Sequence, residues 1–516
     1  MTDSTARAPM PQDDVCERAL NARDPRFDGI FFVGITTTGI YCRPVCPARV
    51  SYTNRRRFFP SAASAEHAGY RPCLRCRPEL APGRSVIGAV SRLAWVAAHR
   101  IGAGALNGRG VACLASELGV SERHLRRALE REIGVSPIEL AQTHRLLLAK
   151  RLLADTSLSV TRIAFASGFQ SLRRFNSVFR ERYRLSPSAL RRPARSSGRP
   201  RDGGEGHAPS RVAPNDLVRL TLAYRAPLAW DVLTGYFGRH AIPGVEVVDG
   251  GFYGRTINLE GRSGFVLVND AAQGGRGARG GRTHLTVDVS SSLLPVLMPL
   301  LARLRQLFDL DAEPNMVDAH LRQEGLERLI RRHPGVRIPG AFDGFEVALQ
   351  DLLSDPAGVL LRRVVAALGQ GIETGIPALN VIAPSAAQVA TSGVSRLSAL
   401  GVPTGQAHVI ASVAEAVVEG RLQLQPGCDV AGAHRALMHI DGMEERLATT
   451  IVMRALYWPD AFPTSDPGLL QATGSTNPQE LRARAERWRP WRAYAALHLW
   501  MNEGPVDTEV LNPHHQ

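Results

Sequence analysis

The chain has 516 residues, of which 44% are apolar, and this length predicts three or four domains rather than one hydrophobic core. No run of about 18 uninterrupted apolar residues occurs, so no membrane-spanning helix is expected. The net charge of +14 favours a polyanionic partner. Lys150 is the only lysine, so the cations are almost all arginine, which suits bidentate contacts to phosphate and guanine. Genomic base composition is an alternative cause of this bias.

Four of the seven cysteines lie close together in the sequence as two pairs: Cys42, Cys46, Cys73 and Cys76. A short turn brings the two thiolates of each pair to the same side, and two pairs supply the four ligands of a closed tetrahedral zinc site. Two disulfides are the alternative, but they need an oxidising compartment, and no signal peptide is recognised at the start of the chain. The three other cysteines are expected to be ordinary thiols: Cys16, Cys113 and Cys428.

The segments that flank these cysteines carry further motifs: Asp24–Gly29, Thr36–Pro44, Arg55–Phe59 and Ala68–Cys73. With them, residues 12–80 closely resemble the N-terminal domain of the Ada adaptive-response family. The resemblance implies transfer of a methyl group from a DNA phosphotriester to a zinc-bound cysteine, and by position in the motif the acceptor is Cys42. Spacing alone does not distinguish Cys42 from the other three cysteines. Arg43 and Arg71, which lie beside them, are candidate DNA contacts.

Methyl transfer to sulfur is chemically reasonable, because a thiolate is a nucleophile and zinc keeps it deprotonated at neutral pH. The product is a thioether, and no residue is expected to remove the methyl group, so each chain would react once. Zinc with four thiolates carries a formal charge near −2, and methylation removes one negative charge. We therefore expect the methylated domain to bind DNA more tightly.

Residues 83–192 are predicted to form two helix-turn-helix units. Ser121 is placed to cap a helix that runs to about Ile133, and Ser171 is placed to cap the equivalent helix of the second unit. The side chains expected to face DNA from these two reader helices are Arg123, His124, Arg126, Arg127, Arg173, Arg174 and Asn176.

The second unit carries the strongest motif, from Gly168-Phe169 through Phe175 and Phe179 to Ser186-Pro187. It resembles the AraC-type transcription-factor domain, which implies that the two units read two successive turns of the major groove. Arg184 departs from the family, which prefers glycine there. A plain helical bundle with a solvated basic face is the alternative, but two capped repeats with paired basic faces favour DNA binding.

Residues 193–215 are rich in Arg, Gly, Ser and Pro and predict a linker. The next segment, 216–292, predicts a small sheet with one helix at Leu228–Arg239. Its expected strands are Val218–Tyr224, Val245–Val248, Phe252–Leu259, Phe265–Val268 and Leu285–Val289. From Leu293 the pattern predicts helices to the end of the chain.

Residues 217–503 resemble the 3-methyladenine DNA glycosylase family AlkA, on motifs at Ala241–Glu246, Pro339–Glu346, Ala485–Arg492 and His498–Trp500. The resemblance places the catalytic carboxylate at Asp466, in Phe-Pro-Thr-Ser-Asp, where it would stabilise an oxocarbenium-like sugar. It also places an aromatic wall of the base pocket at Trp500 and a DNA-binding hairpin glycine at Gly442. No lysine follows Lys150, so simple hydrolysis of the glycosidic bond is expected rather than a Schiff base.

Three departures from that family weaken the enzyme hypothesis. Glu444 replaces the second hairpin glycine and would repel phosphate, Arg446 replaces an aromatic residue, and Pro356 interrupts the helix that normally carries the wedge into the duplex. Asp466 is alternatively a helix N-cap in a weak or inactive domain. A regulator without glycosylase activity is thus the competing hypothesis.

The expected fold is multidomain α+β. The predicted domains are a zinc and methyl-acceptor domain (1–82), a double helix-turn-helix domain (83–192), the linker (193–215), a small α+β domain (216–292) and a helix-hairpin-helix domain (293–516). Expected partners are zinc, double-stranded DNA, both alkylated and promoter, and RNA polymerase, with no membrane and no oligomer. The expected location is the bacterial cytoplasm, in association with the nucleoid.

Overall fold

A computed structural model describes residues 10–48, 55–83, 92–191, 217–271, 283–355 and 358–502. The cysteine-rich domain, residues 10–83, contains α1 (Asp13–Ala22), β1 (Phe32–Ile35), β2 (Ile40–Cys42), β3 (Arg56–Phe59), α2 (Ala62–His67) and β4 (Arg71–Pro72). Its four strands form one sheet in the order β3-β1-β2-β4. β1 pairs antiparallel with β2 and β3, whereas β2 and β4 are parallel.

Helices follow in the next described segment: α3 (Arg92–Gly102), α4 (Val111–Glu117), α5 (Glu122–Ile133), α6 (Pro137–Asp155), α7 (Val160–Ala166), α8 (Leu172–Tyr183) and α9 (Pro187–Leu190). The predicted caps are confirmed, since the hydroxyls of Ser121 and Ser171 accept backbone hydrogen bonds at the starts of α5 and α8. α6 begins at Pro137 after a capping box made by Ser136 and Glu139. The two repeats thus share their helix-start chemistry.

The C-terminal half opens with β5 (Leu217–Ala223), α10 (Trp230–Arg239), β6 (Glu246–Asp249), β7 (Phe252–Leu259), β8 (Arg262–Asp270) and β9 (His284–Ser290). The strands form an antiparallel sheet in the order β5-β9-β8-β7-β6. A two-residue turn, Glu260-Gly261, joins β7 to β8 with positive φ at both residues, as the twist of a tight hairpin requires. All five predicted strands are present, with ends shifted by up to three residues.

The remaining elements are α11 (Leu297–Leu307), α12 (Pro314–Leu321), α13 (Glu327–Arg332), α14 (Gly344–Leu352), α15 (Val359–Leu368), β10 (Gln370–Gly371), β11 (Val381–Ile382), α16 (Ala386–Ala399), α17 (Thr404–Val418), α18 (Val430–Met438), α19 (Glu445–Ala455), α20 (Pro467–Thr473), α21 (Pro478–Ala485) and α22 (Arg492–Trp500). The prediction of helices throughout is wrong at β10 and β11. These two strands pair because their segment folds back on the larger sheet, where the Thr256 hydroxyl donates to the Val381 carbonyl (2.6 Å).

One cluster of buried apolar side chains crosses the predicted domain borders. It includes Phe175 and Phe179 of α8, Trp230 of α10 and Val287 of β9. The second helix-turn-helix unit and the sheet therefore share a continuous core, although the predicted linker 193–215 lies outside the described residues. None of the described helices is both long and apolar enough to cross a membrane.

Candidate functional site

The four paired cysteines meet at one edge of the small sheet. β2 and β4 run parallel with Ile40 opposite Arg71, so Cys42, the last residue of β2, and Cys73, just after β4, emerge at the same end. The Cys73 amide donates to the Tyr41 carbonyl (3.0 Å), which holds this register. Cys46 and Cys76 complete the group, and all four Sγ atoms lie within 4.8 Å of one another.

This sulfur cluster fits zinc on donor chemistry. Each of the four cysteines is at most 8% exposed, and none forms a disulfide. Hydrogen bonds from neighbouring thiols, led by Cys42, lower the pKa of Cys46 to about 7 and depress the pKa of Cys73. Hydrogen bonds with Cys46 and Cys73 raise the pKa of Cys42 and Cys76, so the four sulfurs share protons in the absence of a cation. Four buried cysteine sulfurs are the donor set of a structural zinc site, where the metal ion would displace those protons.

Backbone donors distinguish Cys42 from its neighbours. The Arg43 amide donates to Cys76 Sγ and the Arg75 amide to Cys73 Sγ, each at 3.4 Å, and the Ala48 amide stabilises the Cys46 thiolate. Among the described residues no backbone N–H donates to Cys42 Sγ. A hydrogen bond stabilises the charge of a thiolate and lowers its nucleophilicity, so Cys42 is the sulfur least stabilised by the backbone.

The arginine that follows Cys42 has a partner inside the protein. Arg43 Nε donates to Asp28 Oδ1 (2.8 Å), and Nη1 donates to the Cys76 carbonyl (3.2 Å). Arg225 of the C-terminal half donates to the Asp28 carbonyl (3.0 Å). Arg71 lies half-buried on β4. DNA contacts by Arg43 and Arg71 stay predictions. The Arg43 guanidinium is already paired with the Asp28 carboxylate inside the protein.

Two ion pairs dock the cysteine-rich domain on α6, and no sequence pattern indicates either of them. Lys150 forms a buried ion pair with Glu79, and Arg77 donates to both oxygens of Asp155 at 2.8 Å. The two residues that the cysteine-rich domain contributes, Arg77 and Glu79, follow Cys76 within three positions. Lys150 was notable in the sequence only as the single lysine, because pairing across such a separation depends on tertiary structure.

The reader helices α5 and α8 present the predicted side chains. All five arginines among them and His124 are exposed, and Asn176 is half-buried. The opposite faces are buried through Leu125, Leu129, Phe175 and Phe179. Arg184 ends α8 in the left-handed conformation with φ 57°, where the first unit has Gly134 with φ 85°. Base contacts by these side chains stay predictions.

The structure brings Asp466 and Trp500 together. Asp466 Oδ1 accepts from the Leu469 amide (3.0 Å), which makes it the N-cap of α20, and from Trp500 Nε1 (2.9 Å). Within the described residues, Oδ2 has no hydrogen-bond partner. The hydroxyl of the neighbouring Ser465 donates to Glu445 at the start of α19 (2.8 Å). The Asp466 carboxylate therefore lies close to the hairpin. Its catalytic role and the base-pocket role of Trp500 stay predictions.

The hairpin between α18 and α19 turns at Gly442, whose φ is 85°. Glu444 is the N-cap residue of α19, makes no side-chain cap and is 65% exposed at the side chain. Arg446 Nη2 lies 3.6 Å from its carboxylate and offsets part of its charge. The carboxylate occupies the helix end that would otherwise favour a phosphate. Pro356 lies outside the described residues, between the end of α14 and the start of α15.

Three family models match separate parts of the chain: the metal-binding domain of Ada at 15–79, a helix-turn-helix domain at 114–193 and the AlkA N-terminal domain at 219–343. Over 95% of its length the chain is 35% identical to the probable bifunctional transcriptional activator/DNA repair enzyme AlkA of Mycobacterium tuberculosis, of which it covers 97%. The chain belongs to this family.

Two other relatives match separate parts of the chain. DNA-3-methyladenine glycosylase 2 of Escherichia coli is 30% identical over 55% of this chain and 97% of its own length. The bifunctional transcriptional activator/DNA repair enzyme Ada of Escherichia coli is 46% identical over 13% of this chain and 20% of its own. The predicted Ada-type, AraC-type and AlkA-like composition, the fold class and the cysteine zinc site are confirmed.

Proposed function

We propose that this chain is a response protein for DNA alkylation damage. It transfers methyl groups from DNA phosphotriesters to Cys42, binds promoter DNA as a transcriptional activator, and hydrolyses the N-glycosidic bond of alkylated purines such as 3-methyladenine. End-to-end similarity to the bifunctional AlkA family carries this proposal, together with four sulfurs within 4.8 Å of one another.

Cys42, Cys46, Cys73 and Cys76 would hold zinc, which supplies charge that keeps the sulfurs as thiolates at neutral pH. The Cys42 sulfur attacks the methyl carbon of a phosphotriester, so that an S–C bond forms and the C–O bond breaks. The electron pair leaves with the phosphodiester oxygen, and Cys42 becomes S-methylcysteine. No backbone N–H of the described residues donates to its sulfur, which supports Cys42 as the acceptor.

Methylation removes one negative charge beside a surface that must approach DNA, so the methylated chain should bind promoter DNA more tightly. The test is titration of one duplex with the chain before and after reaction with methylphosphotriester DNA. Equal affinity in the two states would contradict the sensing mechanism. The exposed cations of α5 and α8 supply the groove-facing surface for this binding.

In the glycosylase half, Asp466 stabilises positive charge on the sugar as the base departs. Its free Oδ2 supports this role, because the capping bond and the Trp500 bond both use Oδ1. Lys150 is buried and paired with Glu79, so the chain has no free lysine for a Schiff base. Hydrolysis without strand cleavage follows.

A methylation-sensing regulator with a weak or inactive glycosylase half is the second candidate. The exposed Glu444 at the hairpin favours it, since a carboxylate there opposes phosphate binding. Release of 3-methyladenine from methylated DNA by the full-length chain supports the enzyme. No release under conditions where methyl transfer to Cys42 proceeds supports the regulator.

As an activator, the chain would act on promoters with RNA polymerase, as a monomer associated with the bacterial nucleoid. The sequence predicts borders at 82, 192, 215 and 292, although the second helix-turn-helix unit and the sheet share one core. Transcription in a reconstituted system with purified polymerase tests the action with RNA polymerase, and sedimentation of the full chain tests whether it is a monomer. Limited proteolysis that cuts at the stated borders supports the division.

A further inference from the structure

A cavity of about 400 Å³ lies where the cysteine-rich domain, the helix-turn-helix region and the C-terminal half meet. Phe32 lines it from the first part, Trp95 and Leu147 from the second, and Met298 and Leu301 from the third. Its volume falls in the range of small-molecule sites, and its walls are mostly apolar. Neither methyl transfer nor base excision uses this cavity.

Arg151 of α6 is the exceptional residue in its wall. The side chain is 7% exposed, and within the described residues it forms no hydrogen bond or ion pair. Its Nε and Nη2 are buried without a partner. The nearest acids are engaged elsewhere, Asp155 by Arg77 and Glu79 by both Lys150 and Arg77. A buried, uncompensated guanidinium is costly, and burial lowers the pKa of Arg151 to about 10.

The other polar groups of the wall do not neutralise Arg151. Arg305 Nε donates to Asp311 (3.0 Å), so those two charges cancel. Burial lowers the pKa of His99 and takes the pKa of His144 to about 4, which leaves both imidazoles neutral at physiological pH. Neither imidazole has a hydrogen-bond partner in the described parts of the chain, although His99 stacks on Trp95. One positive charge therefore remains.

The chemistry of these groups selects a ligand class. A guanidinium carries planar N–H donors that match the two oxygens of a carboxylate. One uncompensated cation suits a monoanion better than a phosphate dianion. Apolar walls and the Trp95 ring suit an aromatic or aliphatic body. We propose that this cavity binds a small organic carboxylate, with its carboxyl group on Arg151 and its apolar body beside Trp95.

Benzoate is the probe, with benzamide as its neutral isostere and inorganic phosphate as the second anion. Binding to the full-length zinc-loaded protein is measured by calorimetry. We expect benzoate to bind and the other two to bind at least about tenfold more weakly, because only benzoate combines the charge with the ring. Arg151→Met should weaken benzoate about tenfold or more, whereas the exposed Arg131→Met should bind as the wild type does.

Ala98→Phe provides a variant that leaves Arg151 in place and fills the cavity, since Ala98 lines it. It should abolish benzoate binding while methyl transfer to Cys42 continues. Equal benzoate affinity in wild type and Arg151→Met overturns the proposal. So does equal binding of benzamide, displacement of benzoate by phosphate, or undiminished binding by Ala98→Phe. Methyl transfer is assayed separately, so its failure would not imitate any of these results.

Discussion

Asp466 has two roles that substitutions can separate. As a cap, its Oδ1 accepts from the Leu469 amide and from Trp500 Nε1. Asparagine keeps a carbonyl oxygen there and caps helices about as well as aspartate, so Asp466→Asn should change the free energy of unfolding by less than about 0.5 kcal/mol. Alanine loses the cap, about 1 kcal/mol, and the Trp500 bond, about 1 kcal/mol more, so Asp466→Ala should lose about 2 kcal/mol.

The catalytic role proposed for Asp466 depends on its charge rather than on the cap. Asp466→Asn removes the negative charge that would stabilise the sugar, and we expect release of 3-methyladenine to slow about a hundredfold to a thousandfold. The assay measures free base released from methylated DNA, with thermal melting of each variant in the same buffer. If Asp466→Asn releases base at the wild-type rate while Asp466→Ala is destabilised, Asp466 is only a helix cap. That result would refute the assignment.

Three further predictions concern the hairpin, the second repeat and a buried acid. Glu444→Gln should raise affinity for a DNA duplex about threefold to fivefold, measured by titration at low salt, with the exposed Glu419→Gln unchanged as its control. Arg184→Gly should stabilise the fold by about 1 kcal/mol, because φ 57° is strained for a side chain, and a lower melting temperature would contradict this. Burial raises the pKa of Glu66 to about 7 from an ordinary 4.5, so its contribution to stability is full below pH 4.5 and falls by about 3 kcal/mol as the pH rises through 7. Glu66→Gln should remove this loss in melting experiments at pH 5 and pH 8, and an unchanged pH dependence would show that another group causes it.

Local chemistry made part of this structure predictable. The spacing of the four cysteines predicted that they would converge, because two short turns suffice to bring each pair together. Ser121 and Ser171 predicted the starts of the reader helices, since a hydroxyl at an N-cap satisfies a backbone donor of the first turn. Strand alternation predicted the five strands of the larger sheet, whereas the tight hairpin at Glu260-Gly261 was seen only in the structure.

Long-range pairing was beyond prediction from one sequence. Nothing near Lys150 in the chain indicates that Glu79 neutralises it, and nothing near Arg151 indicates that no acid does. The bond from Trp500 to Asp466 joins residues on separate helices, and only the fold shows that it leaves the second carboxylate oxygen free. The backbone donors that spare Cys42 likewise depend on how the loops around the cysteines close.

The central claim is that a four-sulfur zinc centre accepts methyl groups at Cys42. The most direct measurement is mass-spectrometric mapping of the full chain after reaction with DNA that carries methylphosphotriesters. The account predicts one added methyl group per chain, on the peptide that contains Cys42, and none when Cys42→Ser is used. Methyl groups on Cys46, Cys73 or Cys76 instead, or no methylated cysteine in a zinc-loaded wild type, would contradict it.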